Sequence, residues 1–198
     1  MFRLILGLIM AHSISGAFSK EKTDELYTPE ILVEPIIKYL IKFHKISNKK
    51  KLTVLCPFDT ENSEFVLAFS KIKNINIKFG HIETGQDFFK YDYGDYDVCV
   101  SNPPFSKKKK VYEKLLKDNK PFALLGNAMQ INYEEIGRLF SEYKIQILSF
   151  DRRVSYNGSP SSFMSSYFCH NFLTKDLIFE KLLHNNTGNK FIPSRMTI

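Results

Sequence analysis

Asn102-Pro103-Pro104-Phe105, directly after the apolar run Tyr96 to Ser101 (YDVCVS), is the segment of this sequence best equipped for chemistry. Consecutive prolines fix their own backbone angles, remove two donors and hold the preceding residue extended. Asn102 therefore presents its amide from an extended backbone, and the Pro103 carbonyl is left to accept a bond. An amide oxygen and a carbonyl set side by side accept the two hydrogens of an amino group, while the Phe105 ring stacks on the planar system that carries it. Holding both hydrogens keeps the nitrogen lone pair directed at an electrophile. Lys107, Lys108, Lys109 and Lys110 begin two residues after Phe105, where ammonium groups are suited to hold phosphates beside the target.

The rest of the chain is fit to position such a loop. Its 198 residues are enough for one domain with a sizeable core and too few for two ordinary ones. Hydrophobic residues at 43% and charged residues at 25% exclude a disordered tail, a collagen-like fibre and a coiled-coil rod. The net charge of +7, with a second cluster at Lys49, Lys50 and Lys51, favours polyanionic partners. Cys56, Cys99 and Cys169 are odd in number and far apart, which fits neither a disulfide framework nor a zinc knuckle. We therefore expect no metal and a reducing, cytoplasmic setting. Arg3 and the apolar stretch Leu4 to Ala11 loosely resemble a signal peptide, but Gly7 and His12 break the run, and nothing approaches the roughly 18 apolar residues of a membrane span. We read 1–198 as a single domain with an N-terminal extension over 1–17, Met10 as an alternative start, and a flexible tail over 185–198.

Helical and extended patterns alternate along the chain. Thr28-Pro29 reads as a helix opening, with Thr28 as N-cap and Pro29 in the first helical position, followed by about four turns carrying Leu32, Ile36, Leu40 and Phe43. Leu52 to Phe58, Ile75 to His81, Tyr96 to Ser101, Pro121 to Leu125 and Ile145 to Phe150 read as strands. Glu64 to Ile72, Val111 to Lys117 and Glu134 to Tyr143 read as the helices between them. Ser162 to Leu173 is read as a last strand, beside an extended partner at the end of the sheet. This order predicts an α/β fold: a Rossmann-like, doubly wound, mostly parallel sheet with helices on both faces and its ligands at the carboxyl ends of the strands.

With Asn102-Pro103-Pro104-Phe105 in that position, the chain resembles the S-adenosylmethionine-dependent amino-group methyltransferases, especially the adenine-N6 DNA methyltransferases of phages and restriction systems. The resemblance runs from about Phe18 to Leu173 and implies the class I methyltransferase fold, S-adenosylmethionine as cofactor and DNA, with its target adenine turned out of the stack, as partner. Asn102, Pro103, Pro104 and Phe105 would then be the catalytic residues, and Lys107 to Lys110 the contacts to nucleic acid. Tyr27-Thr28-Pro29 resembles the family's Tyr-Thr-Pro element, which contacts the cofactor's methionine part. Cys56-Pro57-Phe58-Asp59-Thr60-Glu61-Asn62 stands where the family has Asp-Pro-Phe-x-Gly-x-Gly: Pro57 and Phe58 match, Cys56 replaces the acid, and Thr60 and Asn62 replace glycines that allow close backbone approach. Asp59 or Glu61 is the replacement expected to hold the methionine ammonium. Glu83 is the candidate for the ribose hydroxyls, Asp87 and Phe88 for the cofactor's adenine, and Phe163 or Tyr167 for the flipped base. Adenine in RNA, or a protein glutamine, is the alternative substrate. An inactive nucleic-acid-binding protein with the same fold is the alternative class.

Overall fold

Leu32, Ile36 and Leu40 recur at helical spacing and are buried on one face of α1 (Glu30–Ser47). The helix runs five turns rather than four and continues through Pro35, ending at Asn48 in the left-handed conformation. Pro29 is its N-cap, with an extended ψ of 146°, rather than its first helical residue. Thr28 caps nothing; its hydroxyl is committed elsewhere, to Asn102.

The computed structural model describes residues 27–156 and 162–183. The expected extension over 1–17, the alternative start, the polar turn at 157–161 and the tail over 185–198 lie outside the described residues. The apolar runs form β1 (Leu52–Cys56), β2 (Ile75–Phe79), β3 (Val98–Ser101), β4 (Phe122–Asn127) and β5 (Gln146–Phe150). Between them lie α2 (Glu64–Phe69), α3 (Lys108–Lys117) and α4 (Glu134–Glu142). Val154–Ser155 (β6) and Ser162–Phe163 (β7) pair as a short antiparallel ribbon. Ser165–His170 (β8) and Leu177–Glu180 (β9) complete a seven-stranded sheet of order β2-β1-β3-β4-β8-β5-β9. Every strand in it is parallel except β8, which is antiparallel to both β4 and β5.

The last extended run is therefore interior, not at the end of the sheet. Its six residues are all buried, as an unbroken aromatic-rich run requires when both faces are covered. The edge is taken by β9, which alternates exposed and half-buried residues. At the opposite edge, Lys78 Nζ donates to the carbonyls of Tyr93 (2.7 Å) and Asp95 (2.9 Å), folding a loop over β2.

Alternation along the central strands divides the core. Val54, Val98, Val100, Ala123, Leu125, Tyr167 and Cys169 face α1 and α2. Leu55, Cys99, Phe122, Leu124 and Phe168 face α3, with α4 packed outside through Leu139 and Phe140. Helices thus cover both faces, as a doubly wound sheet requires. Among the described residues no helix is long and apolar enough to cross a membrane.

Phe168 is fully buried on β8, where it meets α3 and α4. Phe168→Ala should lower the stability to urea by about 3–5 kcal/mol, the range for emptying a core aromatic site. A loss below about 1 kcal/mol would mean that β8 is not packed between its neighbours.

Candidate active site

From β1 the chain crosses to β2 on one side, then returns to β3 on the other side of β1. The loops after β1 and β3 diverge at this reversal and leave a crevice beyond the carboxyl ends of the strands, where open α/β sheets bind ligands. A cavity of about 330 Å³ lies there, lined by Tyr27 to Pro29 before α1, residues of the 58–64 loop, His81 after β2, and Asn102 to Phe105 after β3.

Asp59 forms one wall. It is 5% exposed, accepts a short hydrogen bond from Ser101 Oγ, and its backbone N–H donates to the Gly80 carbonyl (3.0 Å). Burial pushes its carboxyl up to about 6, against the opposing pull of hydrogen bonds from Ser101 and Ser63 and of nearby His81. Thr60 and Ser63 close the loop reciprocally: the Thr60 N–H donates to Ser63 Oγ (2.9 Å), and the Ser63 N–H to the Thr60 carbonyl (3.0 Å). At Gly80 a Cβ would lie 2.6 Å from Tyr93 Oη and 2.9 Å from Gln86 Cβ, so the glycine makes room for the segment that follows β2.

The opposite wall is the loop after β3. Asn102 Nδ2 donates to Thr28 Oγ1 at 3.2 Å, which sets the amide with its nitrogen toward the start of α1 and its oxygen at the other corner of the group. Pro103 is buried, and Phe105, 41% exposed as a residue, opens a short 3-10 turn. Lys108 Nζ lies 4.0 Å from the centre of that ring.

The cavity brings together nine of the residues singled out in the sequence: Tyr27, Thr28, Pro29, Phe58, Asp59, Asn102, Pro103, Pro104 and Phe105. The other six cofactor candidates do not line it. Cys56 is buried in the core, where burial and the Asp59 charge push its thiol well up, so it carries no negative charge. Pro57 is buried beside it, and Glu61 and Glu83 are exposed. Asp87 Oδ1 accepts from the Phe89 N–H (3.0 Å) and so closes its own turn. Phe88 is a core side chain packed edge-on against Phe58, with ring centres 5.2 Å apart. Tyr167 is fully buried and donates to the Leu32 carbonyl; Phe163 is half-buried against Tyr156.

The lysine run is not one exposed strip: Lys107 and Lys110 face solvent, Lys109 pairs with Glu135 (3.2 Å) and Glu113 (3.7 Å), and Lys108 is buried. Sequence reasoning missed His81 and Ser63. His81 lies two residues beyond the carboxyl end of β2, and Ser63 precedes Glu64 at the N-cap position of α2, so both carried a legible signal.

A doubly wound sheet with a polar crevice at its switch point, closed by an Asn-Pro-Pro-Phe turn, defines a class I methyltransferase fold. A Listeria monocytogenes protein described as a class I S-adenosylmethionine-dependent methyltransferase superposes with a TM-score of 0.51 at 13% identity, covering 84% of this chain and 69% of that one. The model of the family described as "Adenine-specific methyltransferase EcoRI" matches residues 60–166, more than half of the chain, and the chain belongs to that family. Over 49 residues it is 39% identical to the type II methyltransferase M.EcoRI of Escherichia coli, a stretch covering 25% of this chain and 15% of that protein.

Membership implies S-adenosylmethionine as the cofactor, and the crevice fits the amino-acid end of that molecule. The buried Asp59 carboxylate, the hydroxyls of Thr28, Thr60 and Ser63 and the His81 imidazole supply partners for an ammonium and a carboxylate.

Because the folded protein holds the Asp59 proton more tightly than the unfolded chain does, the stabilising share of this group is complete below the ordinary carboxylate range. It is lost as pH rises through about 6. Asp59→Asn should therefore be stabilised relative to the parent by on the order of 1–3 kcal/mol more at pH 7.5 than at pH 4. Urea unfolding at the two pH values measures this; an equal difference at both would show that Asp59 does not titrate in that window.

Proposed function

We propose that the chain transfers a methyl group from S-adenosylmethionine to the exocyclic amino group of adenine in DNA. The observation that carries this reading is the shared cavity: Asn102, Pro103 and Phe105 line the same space as Asp59 and Thr28, so an amino-group clamp and an ammonium-binding carboxylate face one volume. Family membership supports adenine as the target, and the net charge of +7 supports a polyanion as its carrier.

The side-chain oxygen of Asn102 and the carbonyl of Pro103 accept the two amino hydrogens, and the lone pair left on nitrogen is aimed across the cavity. Phe105 stacks on the purine, which leaves the duplex because its amino group is otherwise paired. Asp59, ionised at neutral pH, holds the cofactor's ammonium beside Thr60 and Ser63. When bound, the cofactor supplies a methyl group activated on a sulfonium. Positioning the nitrogen about 3–3.5 Å from that carbon supplies most of the acceleration. Lys107 and Lys110, exposed beside Phe105, contact flanking phosphates.

Transfer of labelled methyl to DNA, RNA and protein in parallel tests the reading, with label expected in adenine of the DNA. Asn102→Ala should cut the rate by more than about hundredfold, equivalent to about 3 kcal/mol. Activity within about twofold of the parent would remove this loop from the chemistry. By titration calorimetry at pH 7.5, Asp59→Asn should weaken cofactor binding by about ten- to hundredfold, the range for one charge-assisted hydrogen bond. Glu61→Gln, outside the cavity, should leave binding unchanged; the reverse pattern would move the ammonium contact to Glu61.

Replacing Lys107 and Lys110 with Gln should weaken binding to DNA of any sequence and reduce the salt slope by about 2, because each of two phosphates then keeps its counterion. An unchanged slope would show that these two cations face only solvent.

A further inference from the structure

The four lysines after Phe105 have different surroundings, and Lys108 is the anomalous one. It is the first residue of α3, where a cation opposes the helix dipole, and it is 5% exposed, where an ammonium is costly to keep. Its Nζ lies 4.0 Å from the centre of the Phe105 ring, well inside the range of a cation–π contact. Phe105 is 41% exposed, lines the cavity, and belongs to a single 3-10 turn held by the Lys107 N–H donating to the Pro104 carbonyl (3.1 Å). The ammonium is thus a partner for one part of the surface of a side chain that is otherwise partly open to solvent.

We infer that Lys108 is a positioning residue for adenine recognition: its ammonium holds the Phe105 ring so that the exposed part presents a stacking surface to the extruded base. This rests on the stacking role assigned to Phe105 above. It also separates Lys108 from its neighbours, since Lys107 and Lys110 are set to meet phosphates whereas Lys108 acts through an aromatic ring on the base.

The two roles differ in a binding experiment that needs no catalysis. Fluorescence anisotropy would compare a short single-stranded oligo(dA) with an abasic oligomer of equal length and charge, for the parent, Lys108→Met, Lys108→Arg, Phe105→Leu and the Phe105→Leu/Lys108→Met double variant. Stacking of a base on an aromatic side chain should make the parent prefer oligo(dA) by about fivefold or more. Lys108→Met should remove most of that preference while leaving abasic binding nearly unchanged, and Lys108→Arg, which keeps a cation over the ring, should restore it. In the Phe105→Leu background the lysine change should cost nothing further, because its effect passes through the ring.

Equal weakening toward both oligomers would make Lys108 a phosphate contact and overturn the inference. So would losses that multiply in the double variant, or an undiminished preference in Lys108→Met, with Lys108→Gln measured in its place if the Met variant fails to fold. A Phe105→Leu protein with full preference for oligo(dA), or a parent with none, would instead overturn the stacking role itself, and this inference with it.

Discussion

The hydrogen bond from Ser101 to Asp59 is the contact on which the rest of the site depends. Ser101 is the last residue of β3 and Asp59 sits in the loop after β1, so one short bond joins the carboxyl ends of two adjacent strands. Asn102 follows Ser101 directly, and Thr60 follows Asp59. The two walls of the crevice are therefore held at a set separation by a carboxylate that is itself buried. Such a group is tolerated inside a protein only when hydrogen-bonded, and the bonds from Ser101 and Ser63 meet that demand. The second tie is Asn102 to Thr28, which brings the start of α1 into the same arrangement. Three segments that the chain keeps far apart thus converge through two side-chain hydrogen bonds.

These ties coexist with choices that work against stability. A carboxyl pushed up to about 6 by burial, a lysine at the buried start of a helix, and a phenylalanine left 41% exposed each break a local rule. All three lie within or beside one cavity. The core is built differently: Phe65, Phe69, Phe122 and Phe168 are fully buried, alternate residues of the central strands are shared between the helices on the two faces, and among the described residues Gln130 Oε1 is the buried side-chain atom left without a hydrogen-bond partner. Concentration of broken rules at one crevice is what a site selected for binding looks like, because positions selected only for folding would have been relieved of them.

The legible part of this architecture is local. Short, largely apolar runs mark β1, β3 and β4, apolar–polar alternation marks β2, and Ile147, Leu148 and Phe150 mark β5; the alternation of these segments with helical spacing is enough for a doubly wound sheet. The double proline locates the turn from Asn102 to Phe105 because its restriction of the backbone acts within two residues. What stays hidden depends on partners distant in the chain. Thr28 looks like an N-cap until Asn102, 74 residues on, is seen to donate to its hydroxyl. β8 looks like a terminal strand because nothing local says that the chain turns back between β4 and β5, and β9, half-exposed at an edge, lacks the apolar run that betrays a buried strand. Phe88 reads as a cofactor contact because its neighbours match a family element, yet its ring packs beneath Phe58. The same limit explains Lys108, whose burial no charge-run rule anticipates.

The replacement of glycines by Thr60 and Asn62 follows from how the crevice is built. Glycine is required where φ is positive or where a Cβ would collide. Among the described residues, the non-glycine residues with positive φ are Asn48, Asn74, Asn119 and Asn171, all outside this loop, so Thr60 and Asn62 adopt backbones open to any residue. The loop is held instead by the backbone of Gly80, whose carbonyl accepts from the Asp59 N–H and whose N–H donates to the Cys56 carbonyl at 3.2 Å, while the missing Cβ there makes room for Tyr93 and Gln86. With that fastening in place, the negative charge of the crevice sits on Asp59, three residues beyond the neutral, buried Cys56 at the end of β1. A loop held by the Gly80 backbone and closed by Ser63 presents its carboxylate from its own turn, so the two departures from the resembled pattern, side chains for glycines and Cys56 for an acid, fall on one locally fastened segment.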